Sequence, residues 1–299
     1  MFRFCFLLIC FLWGSAQGQS SDLRGIIRKG ATLTQLGSGY RFTEGPAVNR
    51  DGDVYFTDQP NNTILIWEAK TSKIFLFTDD SGRANGLFFA KDGRLIACAD
   101  MNNQLWSFSP EGRHEVLAEG YKGKKLNGPN DLWIHPRGAI FLTDPLYKRN
   151  YWTRNPNSEQ DGEHVYLLAP GGSSLQRVAA DLMKPNGIVG TKDGDFLYVA
   201  DIGAGKTYRY RVMKNFTLSE KQLFANLGSD GMTIDLNGNV YFTGDGVTVF
   251  DKAGVKIAHI PVPKRWTANV CFGGLNRNTL FITAMDAVYK LDMNVRGVR

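Results

Sequence analysis

The chain has 299 residues, 43% of them apolar and 21% charged, and its 35 basic and 29 acidic side chains leave a formal charge of +6. The charges are scattered, with one short cluster at Lys122, Lys124 and Lys125; no basic stripe is interleaved with aromatics, which argues against a nucleic-acid partner and leaves a mild attraction for anionic substrates or surfaces. After the first twenty residues no stretch is long and apolar enough to span a bilayer.

The N-terminus carries Arg3, then an unbroken apolar run from Phe4 to Trp13, then Gly14-Ser15-Ala16-Gln17-Gly18. That order is a secretory signal peptide cut near Ala16 or Gly18. As a helix the run reaches roughly 15 Å, too short for a hydrocarbon core of ~30 Å. Residues 1–18 are therefore expected to be removed, leaving 19–299 as a single domain in a secreted or periplasmic protein. Cys5 and Cys10 leave with the signal peptide. Cys98 and Cys271 stay, inside the apolar runs Leu95-Ile96-Ala97-Cys98 and Val270-Cys271-Phe272. A disulfide is open to a secreted chain, but two buried thiols are the expected state. No Cys/His spacing resembles a zinc site. Asn61-Asn62-Thr63 and Asn215-Phe216-Thr217 are glycosylation sequons for a host that uses them.

The rest of the chain repeats. Segments beginning at Glu44, Asn85, Asn130, Asn186 and Asp230 share one pattern. A short apolar run leads to a turn glycine (Gly52, Gly93, Gly138, Gly194, Gly238), and a β-rich run follows, ending at Asp58, Asp100, Asp144, Asp201 or Asp245. A degenerate sixth copy, Ala268-Asn269-Val270-Cys271-Phe272 with Thr279 to Thr283, lacks the turn glycine. Each copy is a β-hairpin followed by further short strands. Units of ~45 residues bury too little surface to stand alone, so six of them predict an all-β, six-bladed β-propeller. Residues near Thr32 to Tyr40 are expected to supply the outer strand of the last blade and close the ring.

Hairpin geometry places the start of each first strand and the aspartate closing the second at the same end of the blade. Because innermost strands line a propeller channel, Glu44, Asn85, Asn130, Asn186 and Asp230 are predicted to form an inner ring at one mouth. All are oxygen donors, and two are carboxylates. That set suits a hard divalent cation such as Ca²⁺, which accepts six to eight oxygens. A single Asn-Gly is more often a turn than a ligand; the case rests on matched positions around one axis. The closing aspartates are expected mostly to bond loop amides, with Asp201 the one to consider as a base.

The third repeat carries the longest insertion, from Asp144 to Glu163, on the same face. Tyr147, Tyr151 and Trp152 are candidates for a lid or pocket wall, and Lys148 and Arg149 for an anionic group. His135 and His164 read as structural. There is no Gly-x-Ser-x-Gly run and no sign of a Ser-His-Asp nucleophile.

Phe42-Thr43-Glu44-Gly45-Pro46, Lys125-Leu126-Asn127-Gly128-Pro129-Asn130-Asp131, Phe141-Leu142-Thr143-Asp144-Pro145, Lys184-Pro185-Asn186-Gly187, Ser229-Asp230-Gly231-Met232 and Ala268 to Gly274 occur in that order. This ordered set resembles the gluconolactonase family, related to senescence marker protein 30 and luciferin-regenerating enzymes, over nearly the whole mature chain. The resemblance implies a divalent metal (Ca²⁺, or Zn²⁺ or Mn²⁺) on Glu44, Asn130, Asn186 and Asp230, with Asn85 beside the metal or on the substrate. It also implies hydrolysis of a small sugar lactone. Asp230 is the leading candidate for the catalytic base, with Asp201 or Asp131 as alternatives, and Asn85, Asp131, Tyr147, Arg149 and Trp152 are the candidate substrate contacts. The animal branch has an Arg where this chain has Gly128, so one substrate contact of that branch is missing. Two other readings are a phosphotriester or arylester hydrolase of the same fold, and a non-catalytic, Ca²⁺-stabilised binding propeller.

Overall fold

The computed structural model describes residues 21–22 and 24–298; the signal-peptide reading, with Cys5 and Cys10, falls outside them. The described residues form six antiparallel sheets, five of four strands and one of five. The first blade runs Thr43–Val48, Val54–Asp58, Thr63–Trp67 and Ile74–Thr78 from the axis outward. The inner strands of the next five are Leu87–Phe89, Leu132–Ile134, Pro185–Gly190, Met232–Ile234 and Asn269–Gly273. This is the six-bladed propeller that the repeats predict.

Each hairpin turns where the sequence places its glycine. Gly52, with φ +97°, holds a left-handed backbone that a side chain would strain. The strands then alternate, and their apolar faces meet those of the neighbouring blade. Ile96 and Leu105 of the second blade pack on Leu132, Leu142 and Tyr166 of the third. Trp133, Phe141 and Val165 of the third pack on Ile188, Leu197 and Val199 of the fourth. Burying one such side chain contributes roughly 1.5–3 kcal/mol, so these seams, rather than any single sheet, hold the ring. Cys98 and Cys271 lie in the core as free thiols.

The ring is closed by the N-terminal segment. Thr34–Ser38 pairs antiparallel with Ala287–Asp292 as the outer strand of the sixth blade, as expected from the sequence. Thr43 of the first blade donates its hydroxyl to the Ala287 carbonyl at 3.0 Å, joining first blade to last. The fifth blade gains an extra edge pairing from Ser21–Asp22. The C-terminal tail crosses the channel at the end away from the ring residues. Leu236 N donates to Arg296 O at 2.8 Å and Gly297 N to Arg277 O at 2.9 Å, while Gly297 and Val298 line the central cavity beside Ile234 and Phe272. The C-terminal residues thus border the cavity at the end away from the ring.

Deleting residues 19–40 is expected to lower the melting temperature by about 10 °C or more and to promote association through the bared Ala287–Asp292 edge. Calorimetry and light scattering of the truncated protein check this. An unchanged melting temperature would mean that closure does not depend on the N-terminal strand.

Candidate active site at the channel mouth

The inner-ring residues meet as the hairpins predict. Thr43, next to Glu44, pairs with Asp58, and Pro185, next to Asn186, pairs with Asp201. Asn186 donates Nδ2 to Asp230 Oδ1 at 2.8 Å and to the Tyr147 hydroxyl at 2.9 Å. Trp266 Nε1 donates to the other Asp230 oxygen at 2.6 Å. Glu44 is 2% exposed, accepts the Gly45 amide at 2.7 Å, and lies among Asp230, Asp131 and Asn269. Asn269, the start of the degenerate sixth repeat, completes the circle, 3.5 Å from Asp131 Oδ2.

The glycines that follow ring residues allow blade-to-blade contact at the axis. Gly45 has φ +46°, and a Cβ there would collide with the backbone of Asn85. A Cβ on Gly231 would collide with the Asn269 side chain. Threonines of the second strands then bond the ring backbone of the next blade: Thr57 to Asn85 O at 3.1 Å and Thr143 to Asn186 O at 2.8 Å. Asn-Gly here is thus a close-packing device, not a turn.

The donors suit a hard cation. Glu44 and Asp230 are both held above the usual carboxylate range, mainly by burial; Asp230 adds to the effect at Glu44, while the Trp266 and Asn186 hydrogen bonds oppose it at Asp230. The side-chain carbonyl oxygens of Asn85 and Asn186 are buried without a hydrogen-bond partner. Two crowded carboxylates and two orphaned amide oxygens at one mouth form a cradle for a divalent ion. Among the described residues no cluster of three or more His, Cys, Asp or Glu could hold a metal, so amide oxygens would have to complete the shell. Asn130 sits in the ring and is buried. Asp131 is also buried; it accepts the Leu132 amide at 2.8 Å and faces the central cavity. Burial pushes its carboxyl up to about 7.

The closing aspartates mostly act as latches. Asp58 accepts the amides of Arg41 and Phe42, Asp144 those of Asn127 and Gly128, and Asp201 those of Met183 and Lys184 at 2.9 Å each. Asp201 also takes the Ala204 amide at 3.3 Å, so it pins the loop that delivers Asn186 and stands outside the ring contacts described above. Asp245 does not belong with this group. Thr243 and Gly244 end the second strand of its blade where Thr57 and Asp58 end theirs, and Asp245 is an exposed residue of the following turn.

Asp100 has a different set of partners. It accepts Gln59 Nε2 at 3.1 Å, Trp152 Nε1 at 3.2 Å and Arg154 Nη2 at 3.4 Å, and Arg149 Nε lies 3.9 Å away. Burial pushes its carboxyl up to about 6, although both guanidiniums pull it down. The insertion of the third blade is thereby folded against the mouth. The Arg154 guanidinium lies 3.4 Å from the centre of the Trp152 ring and donates to Asn127 O at 2.7 Å. A Cβ on Gly128 would collide with Asp100 and stand 3.1 Å from Arg154 Nη2. The space left by the side chain missing at 128 is thus occupied by an arginine delivered from the insertion. Lys148 is exposed and bonds Asn157 at 3.4 Å, away from these groups. His135 takes the Arg137 amide in a hairpin turn, and His164 pairs with Asp161, both structural placements.

Trp266, Asn269 and Arg154 are site residues that the sequence reading did not single out. Asn269 had a signal, its place at the start of the sixth copy. Trp266 and Arg154 lie in segments without repeat counterparts.

A closed propeller with an oxygen-donor ring at one mouth of its channel defines the class. Residues 42–286 match the family described as the SMP-30/gluconolactonase/LRE-like region, and the chain belongs to it. Among curated relatives, a gluconolactonase of Zymomonas mobilis is 27% identical, with 93% of this chain and 86% of the relative aligned. A solved structure provisionally assigned as a gluconolactonase is 30% identical, with TM-score 0.87 over 94% of this chain and 100% of that one. A gluconolactonase of Xanthomonas campestris is 28% identical, with TM-score 0.82 over 92% and 98% of the two chains.

Asp201→Asn puts an NH₂ against a backbone N–H and is expected to cost about 1–3 kcal/mol of stability, read by urea unfolding, while turnover persists. Loss of all turnover in a folded variant would return Asp201 to the list of bases. Asp100, Asp131 and Asp144 are all raised, to about 6, 7 and 7, chiefly by burial. The folded protein then holds these protons more tightly than the unfolded chain. Their contribution is complete below the ordinary carboxylate pKa of about 4 and is lost as pH rises through about 7. The chelator-treated protein should accordingly melt lower at pH 8 than at pH 5; a rising profile would contradict these shifts.

Proposed function

We propose that this protein is a lactonase that opens a small sugar lactone at the channel mouth, with a divalent cation, Ca²⁺ in the first instance, held by Glu44, Asn130, Asn186 and Asp230. The observation that carries the metal is the pair of orphaned amide oxygens, Asn85 and Asn186, beside two crowded carboxylates. The reaction class draws on the family and on relatives named gluconolactonase. When bound, the cation supplies Lewis-acid polarisation of the lactone carbonyl and offsets charge on its oxygen.

The chain's own groups do the rest. Of the three ring-region carboxylates, Glu44 and Asp131 are fully buried, and Asp230, though largely desolvated, keeps partial exposure at the mouth. Trp266 and Asn186 fix its carboxylate, one donor to each oxygen. It is the group placed to take the proton of a water attacking the carbonyl carbon. The acyl–oxygen bond then breaks, the ring oxygen leaves as a hydroxyl with a proton, and the product is a hydroxy acid. Asp131 is committed to Leu132 N and Asn269, and Asp201 to loop amides, which argues for Asp230 over both. Asn85, Tyr147, Arg149 and Trp152 surround the mouth as substrate contacts, and the Tyr147 hydroxyl, which accepts from Asn186, keeps its own proton free to donate.

The test is hydrolysis of glucono-δ-lactone followed by pH-stat, with chelator and with Ca²⁺ restored. Turnover is expected to vanish on chelation and return with metal. Asp230→Ala is expected to lower kcat about 100-fold or more and to abolish the rise in melting temperature on adding Ca²⁺. Full activity in that variant would remove Asp230 from the mechanism. Activity indifferent to chelator would remove the metal.

A further inference from the structure

Beside the ring, the wall of the mouth carries more positive charge than the ring chemistry needs. Arg149 and Arg154 come from the insertion of the third blade, and Arg83 comes from the approach to the second blade with its guanidinium 4.7 Å from the centre of the Tyr151 ring. The carboxylate they gather around is Asp100, at 3.4 Å from Arg154 and 3.9 Å from Arg149. Lys184 is already matched by Glu163 at 3.7 Å. Asp144, held by the Asn127 and Gly128 amides, is the other carboxylate near Arg154; three guanidiniums against two carboxylates leave a surplus of one positive charge.

These groups are also short of acceptors. Arg149 Nε, Arg154 Nε and the Tyr151 hydroxyl are buried without hydrogen-bond partners. A buried guanidinium N–H without an acceptor is costly, and a structure keeps several together where an acceptor-rich ligand satisfies them. The cluster adjoins the reaction centre: the Arg149 charge acts on Asp230, and its guanidinium lies 5.1 Å from the centre of the Tyr147 ring, whose hydroxyl bonds Asn186. The ring's own carboxylates, Glu44 and Asp230, are balanced by a divalent ion and do not cancel the arginines.

Resting on the lactonase reading, we propose that Arg149 and Arg154 form an anion subsite, and that the lactone this protein takes carries an ionised carboxylate on a carbon remote from the ring carbonyl. A guanidinium fork matches a planar carboxylate. The Trp152 ring, with Arg154 stacked on it, provides a flat wall for the carbon skeleton. The substrate class is the monolactone of a sugar diacid rather than a neutral aldonolactone.

A matched pair of substrates tests this: D-glucaro-1,4-lactone and D-glucono-1,4-lactone have the same ring and differ at C6, carboxylate against CH₂OH. With Ca²⁺-loaded protein at low salt, kcat/KM for the charged lactone is expected to exceed that for the neutral one about 10-fold or more, with the gap narrowing as NaCl is raised. Arg149→Gln and Arg154→Gln are expected to collapse this preference at least several-fold, mainly through KM for the charged lactone, and the melting temperature with and without Ca²⁺ reports separately whether each variant is folded. Equal rates on both lactones in the wild type, or a preference that survives both substitutions, overturn the subsite. If neither lactone, nor glucono-δ-lactone, is hydrolysed, the lactonase reading falls and the subsite is judged by binding. A larger rise in melting temperature with glucarate than with gluconate, in excess Ca²⁺, upholds it, and equal rises overturn it.

Discussion

The structure depends on how closely six inner strands approach one axis. At four of the six, Gly45, Gly86, Gly187 and Gly231, there is no room for a side chain after the ring residue: a Cβ on Gly45 would meet the Asn85 backbone and one on Gly231 the Asn269 side chain. The hydroxyls of Thr57 and Thr143 then take the ring carbonyls of the adjacent blade. Glycine is unfavourable inside a strand because it gives up more backbone freedom on folding. Here that cost is offset by contact between blades. The same contact crowds Glu44, Asp230 and the ring asparagines together.

Crowding oxygen donors at the mouth of the channel has an electrostatic consequence. Gly297 and Val298 and apolar residues such as Leu132, Ile188 and Phe272 line the cavity, which limits the water that reaches the ring carboxylates from behind. Burial therefore raises Glu44, Asp131 and Asp230 together. Such a cluster is relieved by protons or by a cation. Either would also serve the carbonyl oxygens of Asn85 and Asn186, which have no donor aimed at them: a cation by coordination, a protonated carboxyl by donating its O–H.

The repeats made the fold legible. Turn glycines at matched positions located the hairpins, and the hairpins located Glu44, Asn85, Asn130, Asn186 and Asp230 on one face. What stayed hidden came from segments outside the repeat. Trp266, which holds Asp230, and Arg154, which reaches past Gly128, lie in connections whose paths are set by tertiary packing rather than by periodicity. Asp245 misled for a related reason. The second strand of its blade ends at Gly244, so the aspartate falls in the turn beyond it, and counting offsets alone placed it beside Asp58 and Asp144 when the register did not.

Two adjacent repeat positions show how the fold separates scaffold from specificity. At the end of the second strand, Asp58, Asp144 and Asp201 each receive two consecutive backbone amides and fix the loop that enters their blade. In the second blade that strand ends at Ala99, and Asp100 stands one residue later, where the first blade has Gln59; its partners are the side chains of Gln59, Trp152 and Arg154. A carboxylate that binds backbone is indifferent to what the loop is made of. One that binds an indole and guanidiniums requires those residues and orients them. The second blade thus lacks the latch aspartate, with Ala99 in its place, and carries beside it a carboxylate that anchors the third blade's insertion. The insertion, in turn, brings Tyr147 onto Asn186 and Arg149 toward Asp230. The donor ring is set by the repeat, and the wall of the mouth by that single departure from it. Substrate preference among proteins of this architecture should therefore follow the residues that meet at Asp100 more closely than the ring itself.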